Sequence, residues 1–282
     1  MNTQMWNNEK TKKNIQEITN ATTALINPAS GLLACGDIGE GKFPEVAAVV
    51  DIINTLNPGK KSGKKVIITA GATAAPLDPV RFLTNPSSGK MGISVAREFL
   101  AAGFEVSVLA GHQCTSEVNN LTLHPNFTLY RAPTTQKMRD HAVALFPQAD
   151  LYISTGAIAD IEFDVANEKI KKESMTTALE YHQAADILKE ILALKNSNQK
   201  VVSFAAETQT TPEVFQEKMN RKPVDLMVGN KVANGLVGSD KVEGFQTENG
   251  NYFFVTTKGI QGPFALTKKE VGLKLVSWFE GK

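Results

Sequence analysis

The residues of this sequence best suited to chemistry lie between Asp78 and Gly92, in the run Asp-Pro-Val-Arg-Phe-Leu-Thr-Asn-Pro-Ser-Ser-Gly-Lys-Met-Gly. Its hydroxyls, arginine, lysine and asparagine suit an anion. Ser87, Ser88 and Gly89 can present backbone N–H groups at a helix N-terminus, where the macrodipole and the unsatisfied donors favour negative charge. Lys90 or Arg81 can add charge-assisted hydrogen bonds, the arginine in bidentate form. Spacing alone fits an ordinary polar surface loop about as well. The run is neither a Walker loop nor the dinucleotide fingerprint, because Gly71-Ala72-Thr73-Ala74-Ala75-Pro76 lacks the second and third glycines.

Such residues need elements to hold them. Before the run, Lys64-Lys65-Val66-Ile67-Ile68-Thr69-Ala70-Gly71 is a short β-branched apolar stretch ended by glycine, which reads as a buried parallel strand. After it, Val95, Ala96, Phe99 and Leu100 recur at helical spacing and Ala102-Gly103 is a stop. A long connection inside such a unit is usually functional. From Val66 onward the alternation continues, predicting strands at 66–70, 105–110, 127–131, 151–155, 201–206 and 225–229 and helices at 92–102, 135–146, 184–195 and 212–220. The expected fold is α/β: a doubly wound, mostly parallel Rossmann-like sheet with ligands beyond the carboxyl ends of its strands. Asn249-Gly250 predicts a hairpin turn ahead of Tyr252-Phe253-Phe254-Val255, and Lys268 to Phe279 a closing amphipathic helix.

Residues 1–57 read as a separate segment: a polar helix from Asn8 to Thr19, a glycine-rich stretch from Gly31 to Gly41, and a helix from Pro44 to Leu56. Residues 58–65 have linker composition, and 66–282 form the main domain. The chain has 282 residues, 42% of them hydrophobic and 21% charged, so it can bury a sizeable core. A net charge of +1 asks for neither nucleic acid nor an anionic membrane, so any cationic site must be local. The N-terminus is polar and no apolar run reaches membrane-spanning length; a cytoplasmic protein is expected. Cys35 and Cys114 make no disulfide framework. His112, His124, His141 and His182 show no i,i+4 pairing, which argues against zinc and for surface positions.

Several separated motifs in order carry a resemblance over residues 64–282: Ile68-Thr69-Ala70-Gly71-Ala72-Thr73, Asp78 to Gly92, Ala157-Ile158-Ala159-Asp160, Glu168-Lys169-Ile170-Lys171-Lys172, Phe204-Ala205-Ala206-Glu207-Thr208 and Asp225 to Asn230. This part of the chain resembles the phosphopantothenoylcysteine synthetase domain of the bacterial bifunctional coenzyme A biosynthesis protein. The resemblance implies a ligase that activates the carboxylate of 4′-phosphopantothenate with CTP and Mg²⁺ through an acyl-cytidylate. L-cysteine then displaces CMP, and the domain acts as a homodimer, for which the Tyr252 to Val255 hairpin is the candidate interface. It assigns Lys169 to the activation step, Asn85 to the acyl-transfer step, and Arg81 to the phosphopantothenate phosphate, with Ser87, Ser88, Gly89 and Lys90 around that substrate. It places Ser154, Thr155, Gly156, Asp160, Lys169, Ala185, Asp186, Ile187, Leu188, Phe204, Lys218 and Lys222 on CTP.

The residues suit these roles. Cations and Mg²⁺ must neutralise a carboxylate approaching a triphosphate. Composition alone reads Lys169 with Lys171 and Lys172 as a solvated charge run. Asn85 cannot be a general base, but its amide can orient an acyl group or meet an oxyanion; before Pro86 it is also an ordinary turn residue. Phe204 ends a predicted strand, where it can stack on a base or pack in the core. Lys218 and Lys222 lie four apart on one helical face, and backbone groups near Ala185-Asp186-Ile187 can read a cytosine edge. The chain departs from the pattern at Ala184-Ala185, where the family carries Asn-Pro or Thr-Pro. That removes a proline constraint from the cytosine-reading turn.

Residues 1–57 resemble the end of the FMN-dependent phosphopantothenoylcysteine decarboxylase, through Met1-Asn2-Thr3-Gln4-Met5-Trp6 and Ala34-Cys35-Gly36-Asp37-Ile38-Gly39-Glu40-Gly41. That resemblance implies carboxylate binding by Asn2 and acid catalysis by Cys35. The FMN-binding region is missing here, so no decarboxylation is expected from this chain alone. A rival reading, an NAD(P)-dependent short-chain oxidoreductase, shares the sheet type. It needs a Tyr-x-x-x-Lys pair, and none of Tyr130, Tyr152, Tyr181 and Tyr252 has lysine four residues on. A silent, merely oligomerising domain is opposed by the presence of Asn85 and Lys169.

Overall fold

The computed structural model describes residues 1–19, 23, 25–57, 59–60, 62–171, 179–233 and 247–282; Pro58 and Lys61 of the linker and Lys172 of the lysine run lie outside them. The N-terminal segment forms α1 (Thr3–Asn7), α2 (Glu9–Ile18), β1 (Ala29–Leu32), β2 (Ile38–Lys42) and α3 (Val46–Thr55). There follow β3 (Lys65–Ala70), β4 (Ala74–Pro76), β5 (Phe82–Thr84), α4 (Lys90–Ala101), β6 (Glu105–Ala110), β7 (Phe127–Arg131), α5 (Thr135–Leu145) and β8 (Leu151–Ser154). The chain continues with β9 (Ile161–Glu162), β10 (His182–Gln183), α6 (Ile187–Leu194), β11 (Lys200–Glu207), α7 (Pro212–Arg221), β12 (Leu226–Lys231), β13 (Asn249–Thr256), β14 (Gly259–Thr267) and α8 (Lys268–Glu280).

Eight strands form the central sheet in the order β14-β13-β12-β11-β8-β3-β6-β7. All neighbours from β12 to β7 are parallel, and β13 and β14 are antiparallel at one edge. The chain lays β6 and β7 on one side of β3, then returns to the other side with β8. That reversal opens a crevice beyond the carboxyl ends of β3 and β8.

Burial on both faces explains the continuous apolar strands. Val66, Ile68 and Ala70 join Val108, Ile153 and Val228 in a layer with Phe99 of α4 and Leu275 of α8. Ile67 points the other way, toward Tyr152, Ile191 and Phe215 under α5, α6 and α7. Each valine, leucine, isoleucine or phenylalanine so removed from water contributes about 1.5–3 kcal/mol. Gly92 lets α4 approach the sheet: a Cβ there would lie 2.6 Å from both the Ala70 Cβ and the Thr155 Oγ1.

Three expectations are corrected. Asn249 and Gly250 lie within β13, paired with Thr267 and Leu266; the two-residue turn is Thr257-Lys258, closed by Thr256 opposite Gly259. Tyr252 and Val255 are 1% and 0% exposed, each buried in the core layer on its own face of the sheet, while Phe253 and Phe254 between them are half-buried. Phe204 sits inside β11, which runs on to Glu207. His124 is buried rather than a surface residue; its Nδ1 accepts the Asn126 amide at 3.1 Å, and burial lowers its pKa.

In the N-terminal segment, Asn8 caps α2 by accepting the Lys10 amide. α3 packs on α4 and on the 3₁₀ segment Ser116–Leu123. Ile52 is fully buried, and Arg97 grips Asp51 in bidentate fashion at 2.8 and 2.7 Å. Among the described residues, no helix is long and apolar enough to cross a membrane.

Candidate active site

The crevice is sewn together by backbone and threonine contacts. The Ala157 amide donates to the Gly71 carbonyl at 3.0 Å, and the Gly156 amide to the Thr69 hydroxyl at 3.0 Å. Thr73 Oγ1 accepts from the Ala159 amide at 2.8 Å and lies 3.2 Å from Thr135 Oγ1. The segments leaving β3 and β8 are therefore held as one wall.

The long connection after β3 is itself structured. β4 and β5 pair as an antiparallel hairpin whose tip is Asp78 to Arg81. Asp78 Oδ1 accepts from the Val80 and Arg81 amides, both at 2.8 Å. Its Oδ2 accepts from Arg81 Nε at 3.0 Å, Arg81 Nη2 at 2.6 Å and the Ile170 amide at 3.1 Å. The Arg81 guanidinium foremost, with the Val80, Arg81 and Ile170 amides, outweighs burial and holds this carboxyl well below the usual range. Arg81 Nη2 also donates to the Ile170 carbonyl at 2.8 Å. Arg81 is thus engaged as a clamp that ties the hairpin tip to the residue after Lys169. Lys169 itself is exposed.

Beyond β5 the chain turns through Asn85, which is exposed, and Ser87, which is buried. Thr84 Oγ1 fixes the start of this turn on the Thr73 carbonyl at 2.9 Å. Gly89 then caps α4 with φ +78, and a Cβ on it would lie 2.9 Å from both Cys114 Sγ and the Gly71 nitrogen. Only glycine suits that position. Burial pushes the Cys114 thiol up to about 11, against an opposing pull from Arg131.

A cavity of about 300 Å³ occupies the crevice. Its walls include Ser87, Gly89, Lys90, Thr155, Gly156 and Asp160, all expected from the sequence, together with Phe204 in the floor. Two further expected residues meet beside it. Asp186 caps α6 by accepting the Lys189 amide at 3.1 Å and pairs with Lys222 at 2.7 Å, while the Ala184 amide donates to the Asp160 carbonyl at 2.9 Å. Burial raises the Asp186 pKa, but Lys222 and the Lys189 amide together bring it below the ordinary value. This pairing constrains the turn at Ala184-Ala185 without a proline. Ile187 is a core residue, so only its backbone faces the turn.

Other expected residues do not line the cavity. Lys218 pairs with Glu207 at the end of β11. Lys222 is the C-cap of α7, its amide donating to the Lys218 carbonyl at 3.0 Å, and its side chain turns to Asp186 while Lys218 turns to Glu207. Ser154 closes β8 behind the wall, and Ser88 accepts the Thr115 amide at 2.8 Å. Arg81, Asn85 and Lys169 lie outside the lining, on the hairpin side. In the N-terminal segment, Asn2 caps α1 through the Met5 amide and Cys35 is exposed in the β1–β2 turn. Among the described residues, no group of three or more His, Cys, Asp or Glu could hold a metal.

The cavity also takes in residues that sequence reasoning left out of the site: Asn230 at the end of β12, Tyr252 on β13 and Lys268 at the start of α8. Asn230 closes a motif already noted. Tyr252 and Lys268 come from the antiparallel edge and the last helix, and their only local signal is the Thr267–Glu270 capping box.

Residues 61–281 match the family described as DNA/pantothenate metabolism flavoprotein C-terminal domain, and residues 1–57 match the family described as Flavoprotein. The chain is 32% identical over 240 residues to the coenzyme A biosynthesis bifunctional protein CoaBC of Haemophilus influenzae, covering 84% of this chain and 58% of that protein. It is 34% identical over 241 residues to the protein of the same name from Bacillus subtilis, covering 83% and 58%. The chain therefore spans somewhat over half the length of these curated relatives. The crystal structure of the C-terminal domain of a CoaBC shares 28% identity and a TM-score of 0.61, over 78% of this chain and 96% of that one.

Proposed function

Because this chain belongs to the DNA/pantothenate metabolism flavoprotein C-terminal domain family, we propose that it joins 4′-phosphopantothenate to L-cysteine at the expense of a nucleoside triphosphate, CTP by preference. The observation that carries this reading is the polar cavity at the β3–β8 crossover, walled by Ser87, Gly89, Lys90, Thr155, Gly156 and Asp160 and floored by Phe204. An anionic substrate enters on the α4 side and a base stacks on the Phe204 side.

In the first step a carboxylate oxygen attacks the α-phosphorus of the nucleotide, the α–β bridging P–O bond breaks, and pyrophosphate leaves. Lys169, exposed and anchored through Ile170, is assigned to meet the negative charge that builds up in that step. In the second step the neutral amine of cysteine attacks the acyl carbon, the acyl C–O bond breaks and CMP leaves; the amine proton is lost to solvent. Asn85 orients the acyl group by its amide. Arg81 acts through Asp78 and Ile170, holding Lys169 and the hairpin in register. The Asp186–Lys222 pair sets the turn whose backbone reads the base.

Mg²⁺ fits a site of this kind if the nucleotide phosphates supply most of its ligands, with Asp160 the cavity-wall carboxylate. When bound it neutralises the triphosphate. Residues 1–57, which match the Flavoprotein family and whose described part is a hairpin and three helices with Cys35 exposed, are assigned no step of this ligation. Assembly as a homodimer is part of the reading.

Single-turnover assays divide the roles. Lys169→Gln should slow pyrophosphate release by about 10²- to 10³-fold. Asn85→Asp should leave that release intact and let the acyl-nucleotide accumulate. If both variants stall at one step, the division is wrong.

A further inference from the structure

A second cavity, of about 700 Å³, opens between α8 and the antiparallel edge of the sheet, and neither step above uses it. Leu226 at the start of β12 and Thr256 at the end of β13 border it, so it lies at the opposite end of the sheet from the crevice. On α8, Val271 and Leu275 turn into the core, and the neighbouring stripe of Leu273, Lys274, Ser277 and Trp278 faces the cavity. On the hairpin, the Phe254 and Phe264 rings meet with centroids 6.1 Å apart. Phe264 is 36% and Leu273 47% exposed, and these apolar side chains form one floor rather than scattered points, as ligand grooves do. The charge around the floor has one sign. Lys258, Lys274 and Lys282 line the cavity, and among the described residues no aspartate or glutamate does. Lys282 is engaged with Glu280 at 2.6 Å. Lys274 instead holds its ammonium over the Phe264 and Phe254 rings, 5.0 and 5.7 Å from their centroids, where the ring faces attract it.

We propose that this cavity is a second ligand site, taking a small aromatic anion: a fused ring that carries one acidic group. The ring lies against Phe264, Trp278 and Leu273, and the acidic group meets Lys274 and Lys258. A cationic rim over an aromatic floor complements that chemistry, because the charge selects the anion and the floor removes its apolar body from water. The volume selects a small molecule, since pockets for such ligands span roughly 300–1,000 Å³. None of the residues lining this cavity lines the crevice, so the anion and the substrates of the proposed ligation can be held together.

The test is calorimetric titration of the full chain with 2-naphthoate, and with 2-naphthalenemethanol as its neutral counterpart. Naphthoate should bind and saturate, and the neutral compound should bind about 5-fold more weakly or less. Lys274→Gln and Lys258→Gln should each weaken naphthoate by about 3- to 10-fold and leave the neutral compound unchanged. Phe264→Ala should weaken both compounds by about 5- to 10-fold. Phe43→Ser, which removes an exposed ring from the N-terminal segment, should change neither by more than about twofold. Melting temperatures establish that the variants fold, and Leu273→Ser stands in for Phe264→Ala if that variant does not. No saturable naphthoate binding, equal binding of the neutral compound, or an affinity that the two lysine variants leave unmoved overturns the site. None of these outcomes depends on nucleotide turnover, so the ligase reading stands or falls separately.

Discussion

Asp78 accepts from the Val80, Arg81 and Ile170 amides and from the Arg81 guanidinium, so one carboxylate holds both the hairpin tip and the strand of chain carrying Lys169. Asp78→Asn should therefore slow pyrophosphate release as Lys169→Gln does while sparing acyl transfer, read in the same single-turnover assay. The carboxyl is depressed in the folded state, so its contribution to stability is complete above the unfolded value of about 4 and is lost as pH falls through the folded one. Urea midpoints should accordingly drop below pH 4 in the wild type and change less in Asp78→Asn. Cys114 has the opposite sign. Its thiol is pushed up to about 11, so the unfolded chain ionises first and stability falls as pH rises from about 8.5 toward 11. In native protein at pH 8, iodoacetamide should modify exposed Cys35 and spare Cys114, as mass spectrometry would read.

Among the elements, the parallel strands were legible because strands buried on both faces are largely apolar runs, as Val66 to Ala70, interrupted by Thr69, and Val201 to Phe204, interrupted by Ser203, show. The β4–β5 hairpin was not legible, since three-residue strands carry no periodicity, and it is the element that aims Asn85 and Arg81. Asn249-Gly250 misled because a favourable turn pair lies inside a strand whose register is set by pairing with β14. The cavity wall at the start of α4 was legible from Ser87, Gly89 and Lys90; Tyr252 and Lys268 were not, because only the fold brings β13 and α8 to it. Helix α4 depends on one close approach. Gly92→Ala should cost about 1–3 kcal/mol in denaturant unfolding, since the new methyl meets Ala70 and Thr155.

Across the whole molecule, residues 1–57 and the α/β sheet share packing through α3. Ile52→Ala should cost about 2–5 kcal/mol by opening a cavity against α4 and the 3₁₀ segment. Hydrogen exchange should then rise in Val46–Thr55 well before it rises in Lys65–Ala70. Catalysis is proposed to reside at the sheet's crossover alone, so the account stands or falls there. Full-length protein mixed with CTP, Mg²⁺ and 4′-phosphopantothenate should release pyrophosphate without CMP, and adding L-cysteine should then release CMP and yield the amide. Absence of pyrophosphate release with both CTP and ATP would contradict it.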